Sequence, residues 1–206
     1  NSIFSQNGSL TFDSNAFVKQ YDTNVEETNI INNFKFDSFP KYTASGLVSN
    51  YSLILKNVNS NSKNSTKFKN KSELQLLSSG MFGLSYPLKK MDKYYNQFLT
   101  PKMSFRYSPN NTKNIKDSDR RIDMSSVYSF NRIQSNETLE NDGSITIGSE
   151  YSIKNKTDSE IFKLDLATVF RSEENKDLPT KSTLGKKTSN IFGEIEFTPN
   201  EYFNID

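Results

Sequence analysis

Along much of this chain apolar and polar side chains alternate every second residue, a period that suits β-strands and not helices. Between Gly143 and Ile153, the residues Ile145, Ile147, Tyr151 and Ile153 are apolar, while Ser144, Thr146, Gly148, Glu150 and Ser152 are small or polar. A second run carries Leu74, Leu76, Phe82, Leu84, Tyr86 and Leu88 on one parity. Seven more segments follow the rule: Leu10/Phe12/Ala16/Val18, Ile30/Phe34/Phe36, Leu47/Tyr51/Leu53/Leu55, Met103/Phe105/Tyr107, Tyr128/Phe130, Phe162/Leu164/Leu166/Phe170 and Ile191/Ile195/Phe197. No convincing helix separates them. Parallel pairing needs crossovers of about a dozen residues or more, so the expected fold is all-β, an antiparallel up-and-down meander. Prolines 40, 87, 101, 109, 179 and 199 are expected at strand ends or in connections, because proline cannot donate to a ladder.

Two architectures share this pattern. In a β-sandwich the apolar faces form the core; in an outer-membrane β-barrel they face lipid and the polar faces line the interior. Only 33% of the 206 residues are hydrophobic, too few for a conventional thick core. The aromatic share of 13% and net charge of +2 argue against simple disorder. Strand length suits a bilayer-spanning strand. Charged residues (Lys102, Arg106, Glu150, Lys163, Asp165, Arg171, Glu194, Glu196) sit mid-strand opposite apolar neighbours. Tyr86, Tyr94, Tyr95, Tyr107, Phe170 and Tyr202 cluster near strand ends, as an interfacial girdle would. The expected architecture is therefore part of a large outer-membrane barrel, residues 1–206 forming about nine to ten strands with no second domain. The start at Asn1 reads as an internal piece of a longer protein.

Absences narrow the chemistry. Without His, Cys or Trp the chain can form no disulfide, thiolate nucleophile, Cys/His zinc site or imidazole-based triad. No catalytic residue, cofactor or metal site is assigned. The enzymatic rival is a glycoside-hydrolase-like carboxylate pair, Glu194 and Glu196, on one strand face. A net charge of +2 provides no basic face for nucleic acid.

The connections pose a problem. Long polar stretches at 58–72, 109–123 and 172–189 do not alternate with short turns if Tyr128/Phe130 is a strand, as an outer-membrane barrel requires.

From Asp117 to Tyr151 the chain resembles the LptD family of lipopolysaccharide-assembly (organic solvent tolerance) proteins. An acidic-basic stretch precedes a strand ending in Asn131-Arg132; a polar loop carries Glu140; Gly143 opens a strand with Gly148 before Glu150-Tyr151. Further pieces fall in the family's order: Lys56-Asn57-Val58-Asn59, Tyr86-Pro87-Leu88-Lys89-Lys90, Leu99-Thr100-Pro101-Lys102, Arg106-Tyr107-Ser108-Pro109, and Ser189-Asn190-Ile191-Phe192-Gly193 before Pro199. The likeness spans most of 36–199 and is closest to the α-proteobacterial branch. It departs at Glu137 or Thr138, where the family usually has Asp, and includes neither the N-terminal periplasmic jellyroll nor the last strands, so the family's lateral opening is not expected here.

The resemblance implies a Gram-negative outer-membrane transporter without catalysis. It would receive lipopolysaccharide from an LptA-like periplasmic bridge through the N-terminal domain and deliver it to the outer leaflet, with an LptE-like lipoprotein as plug. On that reading Lys102, Arg106, Arg132, Glu150 and Arg171 face the lumen and contact anionic sugars or the plug. A basic loop of Lys56, Lys63, Lys67, Lys69 and Lys71 would meet lipopolysaccharide phosphates outside. The alternatives are another outer-membrane barrel, a porin or receptor, and a soluble β-sandwich binding module.

Overall fold

A computed structural model describes residues 2–5, 7–65, 71–200 and 203–205. Twelve strands follow in order: β1 (Ser2–Ser5), β2 (Gly8–Gln20), β3 (Glu26–Ser38), β4 (Lys41–Tyr42), β5 (Val48–Lys63), β6 (Glu73–Ser85), β7 (Leu88–Met91), β8 (Asn96–Ser108), β9 (Asp142–Lys154), β10 (Glu160–Arg171), β11 (Phe192–Asn200) and β12 (Phe203–Ile205). All pairings are antiparallel, and the order is β1-β2-β3-β5-β6-β8-β9-β10-β11-β12. β4 and β7 also pair with β5 and β8. The fold is the expected all-β meander.

β7 continues β6. Ser85 pairs with Lys102, and after an interruption at Tyr86-Pro87 the ladder resumes with Leu88 opposite Leu99. Pro101 lies inside β8, not at a strand end as the sequence suggested. Its carbonyl accepts from the Tyr86 amide at 3.0 Å, so its donorless nitrogen faces the interruption, where the missing hydrogen bond costs little.

The segment around Tyr128/Phe130 is not a strand. Residues 124–133 form consecutive turns inside one connection, 109–141. Its removal from the strand count restores the alternation of ends. Tight turns at 43–47, 92–95 and 155–159 sit at one end; the last residue of β5, the first of β6 and the connections 109–141 and 172–191 sit at the other, together with the short 21–25 turn. This is the arrangement of outer-membrane barrels.

One parity on every long strand is apolar and exposed. A cross-strand row runs Phe12, Phe34, Leu55; another runs Phe82, Phe105, Ile145, Phe170. Leu74, Leu76, Ile147 and Ile195 share this face and are 69, 61, 46 and 55% exposed. The eight steps from Ile145 to Ile153 span about 26 Å at ~3.3 Å each, close to the apolar band of a barrel, about 25 Å. No second sheet covers this face among the described residues, so its Leu, Ile and Phe side chains are not interlocked between two stacked sheets here. Tyr42, Tyr94 and Tyr107 lie exposed toward the two ends; Tyr202 lies outside the described residues.

The opposite face is polar, and the long connections fold over it. Ile122, Val127 and Ile133 of 109–141 pack with Leu178 and Leu184 of 172–191 against Ala167 and Val169 of β10. Leu139 seals a second cluster with Ile31, Val58 and Leu77 of β3, β5 and β6. The apolar core is thus small and lies between wall and loops.

Lys56 belongs to neither a loop nor an exposed patch. It points from mid-β5 to the polar face, is buried, and its Nζ donates to the Asn136 carbonyl at 2.7 Å. Lys63 ends β5 and Lys71 is exposed; Lys67 and Lys69 lie outside the described residues.

Candidate functional site

On the polar face, residues of alternate parity on β8, β9 and β10 stand side by side. Arg106 pairs with Ser144, and Ser144 with Arg171, so strand register alone brings the two arginines to one row at the long-loop end. The 109–141 connection supplies the other charges. Between Arg132 and Glu140 the chain doubles back: Asn131 holds the turn, its Oδ1 accepting from Ser135 N at 2.9 Å and its Nδ2 donating to Ser135 O at 2.8 Å, with Gln134 in the left-handed region at φ 49°.

Three guanidiniums converge on one carboxylate. Arg132 donates from Nε to Glu140 Oε1 at 3.0 Å and from Nη2 to Oε2 at 2.8 Å, and its other contacts reach Thr146 Oγ1 and Ser144 Oγ of β9 at 3.2 and 2.7 Å. Arg171 donates from Nη1 to Glu140 Oε2 at 2.8 Å and from Nη2 to Asn141 O and Oδ1. Arg106 donates from Nη2 to the Glu140 carbonyl at 2.8 Å, with Nη1 3.5 Å from Oε2. Glu140 is 0% exposed and the arginines 4, 1 and 5% for 106, 132 and 171. Burial alone would raise the Glu140 pKa; Arg132 first, then Arg106 and Arg171, outweigh it and hold the carboxyl at about 2, below its usual 4.5. Charge this deep persists only when paired and hydrogen-bonded.

The second long connection joins the same network. Asn175 Nδ2 donates to Asn141 Oδ1 and Thr112 Oγ1, and backbone bonds run from Ile115 N to Asp177 O and from Thr180 N to Lys116 O. Nearby, the Tyr128 hydroxyl of 109–141 lies beside Gly148 of β9. A Cβ there would collide first with the Leu166 carbonyl of β10 and then with the Tyr128 hydroxyl, so a side chain at 148 disturbs both the β9–β10 pair and the seated loop.

Lys102 and Glu150 sit further toward the short-turn end. They pair with each other, at 34 and 37% side-chain exposure. Lys163 bridges Asp165 and Glu196 at 3.5 and 2.6 Å. The carboxylate pair considered for hydrolysis is therefore split: Glu196 is held by Lys163, while Glu194 shares a row with Asp165 and Glu150. No group of three or more His, Cys, Asp or Glu could hold a metal ion among the described residues.

Of the five residues singled out from sequence, Arg106, Arg132 and Arg171 converge on a single carboxylate, and Lys102 with Glu150 form a separate pair. Glu140 was noted as the loop carboxylate but not as the centre. Asn141, Asn175 and Tyr128 went unnoticed as anchors. The available signal was the coincidence of Arg132 and Glu140 with Ser144 and Thr146, small polar residues of one parity that leave room for a guanidinium.

The sheet, with its oily face outward and its charged face under loops, is what a barrel wall in lipid requires. Residues 38–206 match the family model LptD, described as LPS transport system D. No curated protein matches the chain. With four-fifths of its length under that model, the chain belongs to the LptD family of outer-membrane lipopolysaccharide transport and assembly proteins.

Proposed function

We propose that this chain forms part of the wall of an outer-membrane β-barrel that delivers lipopolysaccharide to the outer leaflet, and acts as a conduit without catalysis. The observation that carries this reading is the inverted sheet: Leu74, Leu76, Ile147 and Ile195 exposed on one face, Arg106, Glu140 and Arg171 buried on the other. Sugars and phosphates need a wet, charged passage, and acyl chains are better kept against apolar surface.

Within that wall the five charged residues divide the work. Lys102 and Glu150 line the accessible interior and meet anionic sugars or an LptE-like lipoprotein plug. Arg106, Arg132 and Arg171 act through Glu140, holding 109–141 across the interior as a constriction. Residues 1–206 would be one stretch of the barrel domain, and an LptA-like bridge would reach it through an N-terminal domain.

The test is surface arrival of lipopolysaccharide in a Gram-negative host dependent on the full-length protein. Reversing both partners, Lys102→Glu with Glu150→Lys, keeps a pair but exchanges its ends. Slowed arrival with normal protein levels is expected; unchanged arrival for the swap and for each single reversal removes the interior role. A chain that fractionates away from the outer membrane overturns the whole reading.

A further inference from the structure

On the exposed apolar face, β6, β8, β9 and the end of β10 enclose a groove of about 670 Å³. Its floor follows from register. Gly80 pairs with Tyr107 and Tyr107 with Gly143, so two residues without side chains flank one tyrosine in a single row. The adjacent row is a continuous ridge: Phe82, Phe105, Ile145, Phe170. The groove is the step from ridge to gap.

Neither glycine is explained by the chain itself. Among the described residues only Gly46 is a glycine with positive φ. A glycine inside a strand otherwise marks a close approach of another group, yet a Cβ at Gly80 would find Leu53 Cδ2 at 3.5 Å and one at Gly143 would find Ser172 Oγ at 3.6 Å, both ordinary contacts. The chain leaves this space open although it could fill it with no clash.

The groove is continuous with the belt of outward Leu, Ile and Phe that faces lipid in this family's barrel. It lies at the long-loop end, where β8 ends at Ser108 and β9 begins at Asp142, the outer end of such barrels. Tyr107, 63% exposed, brings a hydroxyl to the depth at which tyrosines meet headgroups.

We propose that this groove is a docking site for one acyl chain of lipopolysaccharide on the outside of the wall, with Tyr107 beside the polar end of that chain. The inference rests on the bilayer setting proposed above. Occupancy restores the dispersion contacts that the glycine gaps forfeit and gives the delivered lipid a preferred station beside the barrel.

The test places the photoreactive p-benzoylphenylalanine at Tyr107, or at Leu74 on the same face, in the full-length protein in native outer membrane. Irradiation is followed by detection of lipopolysaccharide adducts. Tyr107 is expected to give about tenfold more adduct than Leu74, the ratio that ~1.4 kcal/mol of preference produces. Filling the groove with Gly80→Leu and Gly143→Leu should bring Tyr107 down to the Leu74 level while the protein remains in the membrane. Equal yields at both positions in the unfilled protein, or adducts to phospholipid alone, overturn the docking site and leave the barrel reading intact. No lipid adduct at either position overturns both.

Discussion

Arg132 and Glu140, eight residues apart on one connection, are joined by two parallel hydrogen bonds of 3.0 and 2.8 Å in a fully buried setting. This fork fixes the loop's own shape, and Arg106 and Arg171 then fasten the same carboxylate to the wall. One side chain therefore settles both how 109–141 folds and where it rests.

Glu140→Ala should release the loop. Three buried guanidiniums would lose their shared counter-charge, and breaking a buried pair from one side costs about 3–5 kcal/mol. Protease cleavage within 109–141, measured on protein in membranes, should accelerate while the strands stay protected. Cleavage no faster than in the unaltered protein would show that the loop is held elsewhere.

Acid should act in the same direction. Glu140 is held at about 2 against an ordinary 4.5, so the open loop binds the proton more tightly than the closed one. Closure is at full strength above pH 4.5 and is lost as the pH falls toward 2. These 206 residues contain no cysteine, so Asn136→Cys provides a single attachment point within them for an environment-sensitive dye. Its signal should change over that acid window in the unaltered loop and be flat there with Glu140→Gln.

Two substitutions under the same loop should differ sharply. Gly148→Val drives a side chain into the Leu166 carbonyl and Tyr128, and should cost about 1–3 kcal/mol by overpacking. Tyr128→Phe should be neutral or stabilising, because the hydroxyl it removes is buried with no hydrogen-bond partner. Burial, then the nearby Asp165 charge, push that hydroxyl from 10.0 up to about 12, so its contribution to closure is complete below pH 10 and fades as the pH rises toward 12; Tyr128→Phe should remove that component of alkaline opening. Thermal unfolding in detergent checks the first pair and proteolysis against pH the last.

The apolar face offers a test of solvent. Ile147→Arg adds a charge at a position 46% exposed in mid-β9. In water such a change stays within about 0.5 kcal/mol; facing a bilayer midplane it costs about 2–4 kcal/mol. Reduced insertion into vesicles for Ile147→Arg, with Thr157→Arg in the β9–β10 turn as an indifferent control, is the expected outcome.

The wall was legible because a two-residue period survives whichever face meets water. Leu74, Ile147 and Leu166 were placed on the correct side with no knowledge of partners. Errors came where that period is short or its sense inverted. Tyr128 and Phe130 mimic a strand over three residues, but Val127, Phe130 and Ile133 fall three apart and turn inward together. Lys56 sits in a run of Asn and Ser that reads as a loop when polar residues are assumed to lie outside; in this wall the polar side is the covered side. The arginine cluster was half visible: the likeness named Arg132 and Glu140, yet their union with Arg106 and Arg171 depends on strand register, which no single stretch of sequence carries.

Glu140 lies between two of its holders in the chain, after Arg106 and before Arg171. Every ladder in the meander joins successive strands of the wall, so each pairing needs only its own hairpin. The clasp needs more: Glu140 takes its arginines from β8, from its own connection and from β10, and is complete only when all three segments stand together. The seated loop is thereby a record that β8, β9 and β10 have joined, whichever of them came first.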